Sequence, residues 1–77
     1  MRPARGKATD RDALAVIFAA HQRYGERVFP VDLAGRNYPA LLHAQSRGWV
    51  WFPDQRHAAV TRDGRRALAP FGVEEGA

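Results

Sequence analysis

Residues 38 to 68 read YPALLHAQSRGWVWFPDQRHAAVTRDGRRAL, and the punctuation inside this stretch decides the fold. Asn37 stands before it as a helix cap, and Tyr38 and Pro39 fill a first turn in which proline's missing amide costs nothing. The helix ends at Gly48. WVWF (49–52) and HAAV (57–60) are short β-prone runs joined by the turn formers PDQR (53–56), which predicts a β-hairpin. Thr61 then caps RDGRRALAPF (62–71), a short helix weakened by Gly64, whose Ala67, Leu68 and Phe71 are expected to close over the core.

Working toward the N-terminus, ERVFPVDLAG (26–35) offers a short strand at Val28 and Phe29 and at most a turn or two of helix over Pro30 to Ala34. Before it, TDRDALAVIFAAHQRYG (9–25) carries a helix signature. Thr9 is the N-cap, Asp12 completes a capping box, and Gly25 is the stop. Leu14, Ile17, Phe18, His21 and Tyr24 recur at helical spacing, widened by Ala13, Val16 and Ala20. His21 on that stripe is expected to be a partly buried structural residue. The ends are different in kind. MRPARGKA (1–8) reads as a flexible basic arm, 9–72 as the folded domain, and 73–77 as an acidic tail with nothing to pack.

Within 77 residues there is room for one domain, which hides only about 60% of the surface its unfolded chain exposes. With no cysteine, neither a disulfide nor a thiolate metal site can staple it. No apolar run approaches the roughly 20 residues of a membrane span, so the expectation is a soluble, cytoplasmic protein. The formal charge is +4 and the pI near 10.7, a balance that favours polyanionic partners. All the cations except Lys7 are arginines. Arginine suits bidentate contact with phosphate and guanine, and GC-rich coding produces the same excess.

A helix leading through a glycine into a two-stranded hairpin resembles the winged-helix DNA-binding domains. YPALLHAQSRGWV is similar to the recognition helix and first wing strand of PadR-like regulators, and VTRDGRRAL to the LTxxGRxxL that follows their second wing strand. The resemblance covers roughly residues 28 to 70 and leaves a shorter segment before the recognition helix than most helix-turn-helix units have. It implies an α+β winged helix: a three-helix core, a wing of two or three strands, and a short C-terminal helix. It also implies duplex DNA as partner, in a transcriptional regulator or recombination-accessory factor.

On helix 37–47, the spacing puts Tyr38, Leu41, Leu42, Ala44 and Gln45 on a core side. Arg36, Ala40, His43 and Arg47 fall on a free side. The expected DNA-contacting residues are therefore Arg36, Asn37, Tyr38, Ala40, His43 and Arg47, with Arg56 at the wing tip. Asn37 divides between capping and contact, and Asp54 beside the wing tip repels phosphate. Arg2, Arg5 and Lys7 form a candidate DNA-tracking arm or a solvated tail.

Alternation along the first wing strand sends Val50 and Phe52 inward, and Trp49 and Trp51 outward opposite Ala59 and His57. Two exposed indoles would make a contact surface for a protein partner or a second copy. A register reversed by a bulge would instead place both in the core. An enzyme is not expected. His21, His43 and His57 match no compact metal spacing, Ser46 is the single serine, and no carboxylate pair is set for acid–base work, so neither metal nor cofactor is implied.

Overall fold

The computed structural model describes residues 8–73. Helix α1 spans Asp10–Tyr24, β1 Phe29–Pro30, α2 Tyr38–Ser46, β2 Val50–Asp54, β3 His57–Val60 and α3 Arg62–Ala67, followed by a 3-10 turn at Ala69–Phe71. The three strands form an antiparallel sheet in the order β1-β3-β2. This is a small α+β domain with three α-helices and one sheet.

Local chemistry accounts for the element ends. Asp12 N–H donates to Thr9 Oγ1 at 3.1 Å and Thr9 N–H to Asp12 Oδ2 at 3.0 Å, a closed capping box that satisfies two orphan donors. At the other end Gly25 takes φ +63°, a conformation that disfavours a Cβ, and its N–H reaches the His21 carbonyl. Thr61 does double duty. Its hydroxyl accepts from Gly64 N–H at 3.0 Å and donates to the Gly48 carbonyl at 2.6 Å, so the start of α3 is fastened to the exit of α2.

Where a short helix was expected over 30–34, the chain makes turns. Asp32 Oδ1 accepts from Ala34 N–H at 3.0 Å and the Asp32 carbonyl from Gly35 N–H at 2.9 Å. An aspartate that bonds the backbone two residues on offers an alternative to the helical ladder, and six residues between Pro30 and Asn37 leave little length for a helix to repay its nucleation. The expected three-helix core with a further C-terminal helix therefore has one helix fewer. Strand β1 also begins one residue later, leaving Val28 exposed.

The hairpin is longer and tighter than the sequence suggested. Pro53 and Asp54 extend β2, Trp49 precedes it, and only Gln55 and Arg56 turn the chain. Val50 pairs with Val60 and Trp51 with Ala59, and the register slips between Trp51 and Asp54. That irregularity falls after the tryptophans, so it does not reverse them.

The core gathers Ile17 of α1, Phe29 and Val31, Leu41 and Ala44 of α2, Val50, Ala58 and Val60 of the sheet, and Leu68. Val73 joins it at 8% exposure, which corrects the expectation that nothing from 73 onward packs. Phe71 instead stays half exposed, its ring 6.0 Å from that of Phe18. Residues 74–77 and the arm with Arg2, Arg5 and Lys7 lie outside the described residues.

Helix α2 is turned about its axis relative to the expectation. Ala40, Leu41 and Ala44 are its buried residues, and Ala40, expected on the free side, is 6% exposed. Leu42, expected inside, is 42% exposed, and Gln45 faces solvent. Ala13 and Ala44 are fully buried where α1 and α2 pack, small side chains that allow close helix approach. Hydropathy alone ranks Leu42 above Ala40, whereas packing against a neighbouring helix prefers the smaller residue.

Candidate nucleic-acid interface

The rotation of α2 sorts the residues that its sequence grouped together. Ala40 is enclosed and presents nothing to a ligand. His43 and Arg47 lie over the first turn of α1, where both engage Asp10. The Arg47 guanidinium donates to Asp10 from Nε at 2.9 Å and from Nη2 at 2.7 Å, and His43 Nε2 sits 2.6 Å from Asp10 Oδ1. Arg47 first and His43 second hold the Asp10 carboxyl below the ordinary aspartate range. A forked guanidinium with both arms on a carboxylate has its charge compensated, which removes Arg47 from the expected base-reading set in this conformation.

What remains outward on α2 is its start and one stripe of mixed polarity. Arg36 and Asn37 are exposed, Tyr38 is half-buried against the core, and Leu42 and Gln45 follow one and two turns on. The Asn37 side chain makes no cap hydrogen bond, because its backbone is already helical (φ −87°, ψ −5°) where capping needs an extended residue. Its amide is therefore unspent.

The β2–β3 turn lies at the same end of the domain. Val31 N–H donates to the Arg56 carbonyl at 2.8 Å, and Val31 lines one cavity together with Arg23 and Arg36. Arg23, Arg36 and Arg56 are all exposed and have no carboxylate partner among the described residues. Arg23 was not singled out from the sequence. Its only signal there was a charged residue in the last turn of α1.

Two carboxylates temper this cationic end. Asp32 stands in the loop before α2. Asp54 sits at the hairpin tip, accepting from Arg56 N–H at 2.7 Å with His57 Nδ1 at 3.0 Å. The His57 hydrogen bond first and the Arg56 amide second keep the Asp54 carboxyl below its ordinary range, so the hairpin tip carries an anion beside its cation.

The tryptophans part company. Trp51 is 54% exposed on the outer sheet face, as alternation predicted. Trp49 is half-buried against the core with the Arg47 guanidinium 5.9 Å from its ring centroid, so it is not a free contact residue. Among the described residues, no group of His, Cys, Asp and Glu is arranged to hold a metal, and no helix is long and apolar enough to cross a membrane. Comparison with family models, curated proteins and solved structures finds no match to this chain.

Proposed function

We propose that this domain is a winged-helix module that binds duplex DNA, gripping the phosphate backbone more than it reads base edges, in a small regulator or accessory factor. The observation that carries the reading is the set of exposed arginines Arg23, Arg36 and Arg56. All three guanidiniums are exposed and have no carboxylate partner among the described residues; Arg23 and Arg36 line one cavity with Asn37, whose amide is unspent, and the Arg56 carbonyl is hydrogen-bonded to Val31 of the same lining. Phosphate contacts of this kind supply affinity without sequence information. The middle of the outward face of α2 holds Leu42 and Gln45, which offers an apolar touch and one amide for a base edge, so discrimination between sequences is expected to be weak.

Fluorescence anisotropy with a labelled duplex across a salt series tests this. Three phosphate contacts give a slope of log K against log salt of roughly −2.7, and Arg36→Ala is expected to reduce its magnitude by about 0.9. Absence of binding at low salt, or an unchanged slope in Arg36→Ala, rejects the reading.

One observation favours a second reading, a homodimer. Trp51 is 54% exposed on the outer sheet face, where an indole is costly to leave in water and serves well as an interface anchor. Sedimentation equilibrium decides this. A dimer that Trp51→Ser converts to monomer supports it, and a monomer at all concentrations rejects it.

A further inference from the structure

Between α2 and the hairpin lies another cavity, of about 580 Å³, within the range of small-molecule sites. Its walls are apolar and partly aromatic: Leu33 from the loop before α2, Tyr38 and Leu42 from α2, and Phe52 from β2. Tyr38 and Phe52 are half-buried against the core, which holds their rings in place. Leu33 and Leu42 are 46% and 42% exposed, apolar surface that phosphate contacts leave unused.

The polar lining is one carboxylate and two amides. Asp54 and Gln55 enter from the hairpin and Gln45 from α2, all three exposed. His57 first and the Arg56 amide second hold the Asp54 carboxyl below the ordinary aspartate range, so it stands there as an anion. Arg56 N–H at 2.7 Å occupies Oδ1, and His57 Nδ1 lies 3.0 Å from Oδ1 and 3.1 Å from Oδ2. A carboxylate has about four lone-pair sites, so Oδ2 keeps capacity to accept. Such a group repels phosphate and suits a flat, neutral partner that brings donors.

We propose that this cavity takes one unpaired guanine base of a nucleic acid strand. Guanine presents two adjacent donors, N1–H and N2–H, on its Watson–Crick edge, and these meet Asp54. Adenine, cytosine and thymine each present a single donor beside acceptors that the carboxylate repels. The Gln45 and Gln55 amides, each both donor and acceptor, serve the remaining edge atoms. The ring packs on Tyr38 and Phe52 with the leucines beside it, as unstacked bases do on aromatic side chains. A phosphodiester carries one negative charge where a free nucleotide's phosphate carries roughly two, so Asp54 favours a base borne by a strand. Exposed Arg56, next to Gln55 in the chain, is left for that strand's phosphate. The inference rests on the DNA-binding reading for the strand and goes beyond it in naming the base and its site.

The test is fluorescence anisotropy of the full chain with labelled thymidine pentanucleotides carrying guanine, hypoxanthine or adenine at the centre. Guanine should bind at least about tenfold more tightly than adenine, with hypoxanthine, which lacks the 2-amino group, between them. A ¹⁵N–¹H correlation titration should show saturable shifts at the amides of Gln45, Phe52 and Gln55. Asp54→Asn, which keeps an acceptor for Arg56 N–H, should abolish the preference for guanine while affinity for the adenine pentanucleotide holds or rises. Leu42→Ala, at an exposed position, should weaken all three, with the dispersion of the spectrum reporting that the fold is intact. Guanosine monophosphate should shift the same amides with lower affinity than the guanine pentanucleotide; equal or tighter binding overturns the assignment to a strand. Equal affinity for guanine and adenine, or shifts centred on Trp51, overturns the proposal. If duplex binding persists in the salt series, that failure removes this inference alone; if duplex binding is absent too, the DNA-binding reading falls with it.

Discussion

Arg47, at the C-terminal end of α2, clasps Asp10, the first residue of α1, with two hydrogen bonds of 2.9 and 2.7 Å. The pair closes one end of the packing between the two helices, and it spends on the fold a cation that the helix sequence offers to a ligand. Asp10 also sits in the first turn of α1, where a carboxylate complements the helix dipole.

Replacing Asp10 with asparagine therefore has two expected effects of opposite kind. Thermal stability falls modestly, since both partners are about half exposed and solvent screens the pair. Nonspecific duplex affinity rises, because Arg47 is released and one anion is removed from the surface. Melting followed by circular dichroism measures the first and anisotropy at fixed low salt the second. Weaker duplex binding by Asp10→Asn would contradict the proposed electrostatics.

Acid should unfold the domain in a defined window. Asp10, held down by Arg47 and then His43, and Asp54, held down by His57 and then the Arg56 amide, are both more acidic in the fold than in the unfolded chain. A depressed carboxyl contributes stability that is complete above its unfolded value of about 3.9 and is lost as pH falls through its lowered folded value. Melting temperatures measured below pH 5 should thus decline most steeply under about pH 4. The double variant Asp10→Asn/Asp54→Asn should show a shallower decline over the same range.

Gly64 illustrates a glycine required by space. A Cβ there would run into the Trp49 carbonyl oxygen and lie 2.8 Å from Val60 Cγ1, and that same carbonyl accepts the Thr61 amide. Alanine improves helix propensity by up to about 1 kcal/mol. Overpacking against backbone costs about 1–3 kcal/mol and prevails. Urea denaturation of Gly64→Ala is expected to give a lower midpoint, and an unchanged or higher midpoint would show that α3 can shift away from the hairpin.

The two indoles should report different surroundings. Trp51 is expected to be the quenchable fluorophore, red-shifted and accessible to acrylamide, and Trp49 the shielded one. Single Trp→Phe variants separate them. Trp51→Phe should remove most of the quenchable emission and leave the unfolding midpoint nearly unchanged, whereas Trp49→Phe should lower the midpoint.

Signals carried by neighbours in the chain were legible in the sequence. The Thr9–Asp12 box, the Gly25 stop, the Thr61 cap and the hairpin between two β-prone runs each depend on residues a few positions apart, so pattern and propensity suffice to find them. Alternation likewise placed Trp51 outside. Other features were not legible, the half-buried place of Trp49 among them. Asp32 diverts its segment into turns, although the composition there also suits a short helix. The core side of α2 shifted because burial between helices selects Ala40 and Ala44 for their small size, which hydropathy does not measure. The Asp10–Arg47 clasp, spanning |i−j| = 37, leaves no local trace.

By itself the sequence determined α1, α2, the hairpin and α3, their order and the basic character of the chain, because these follow from local hydrogen bonding, periodicity and charge. Tertiary structure alone decided which arginines stay available. The rotation of α2 on α1 carries Arg47 to a carboxylate and leaves Arg36 in water, and helix rotation is set by the shape of the facing side chains, not by the helix that bears them.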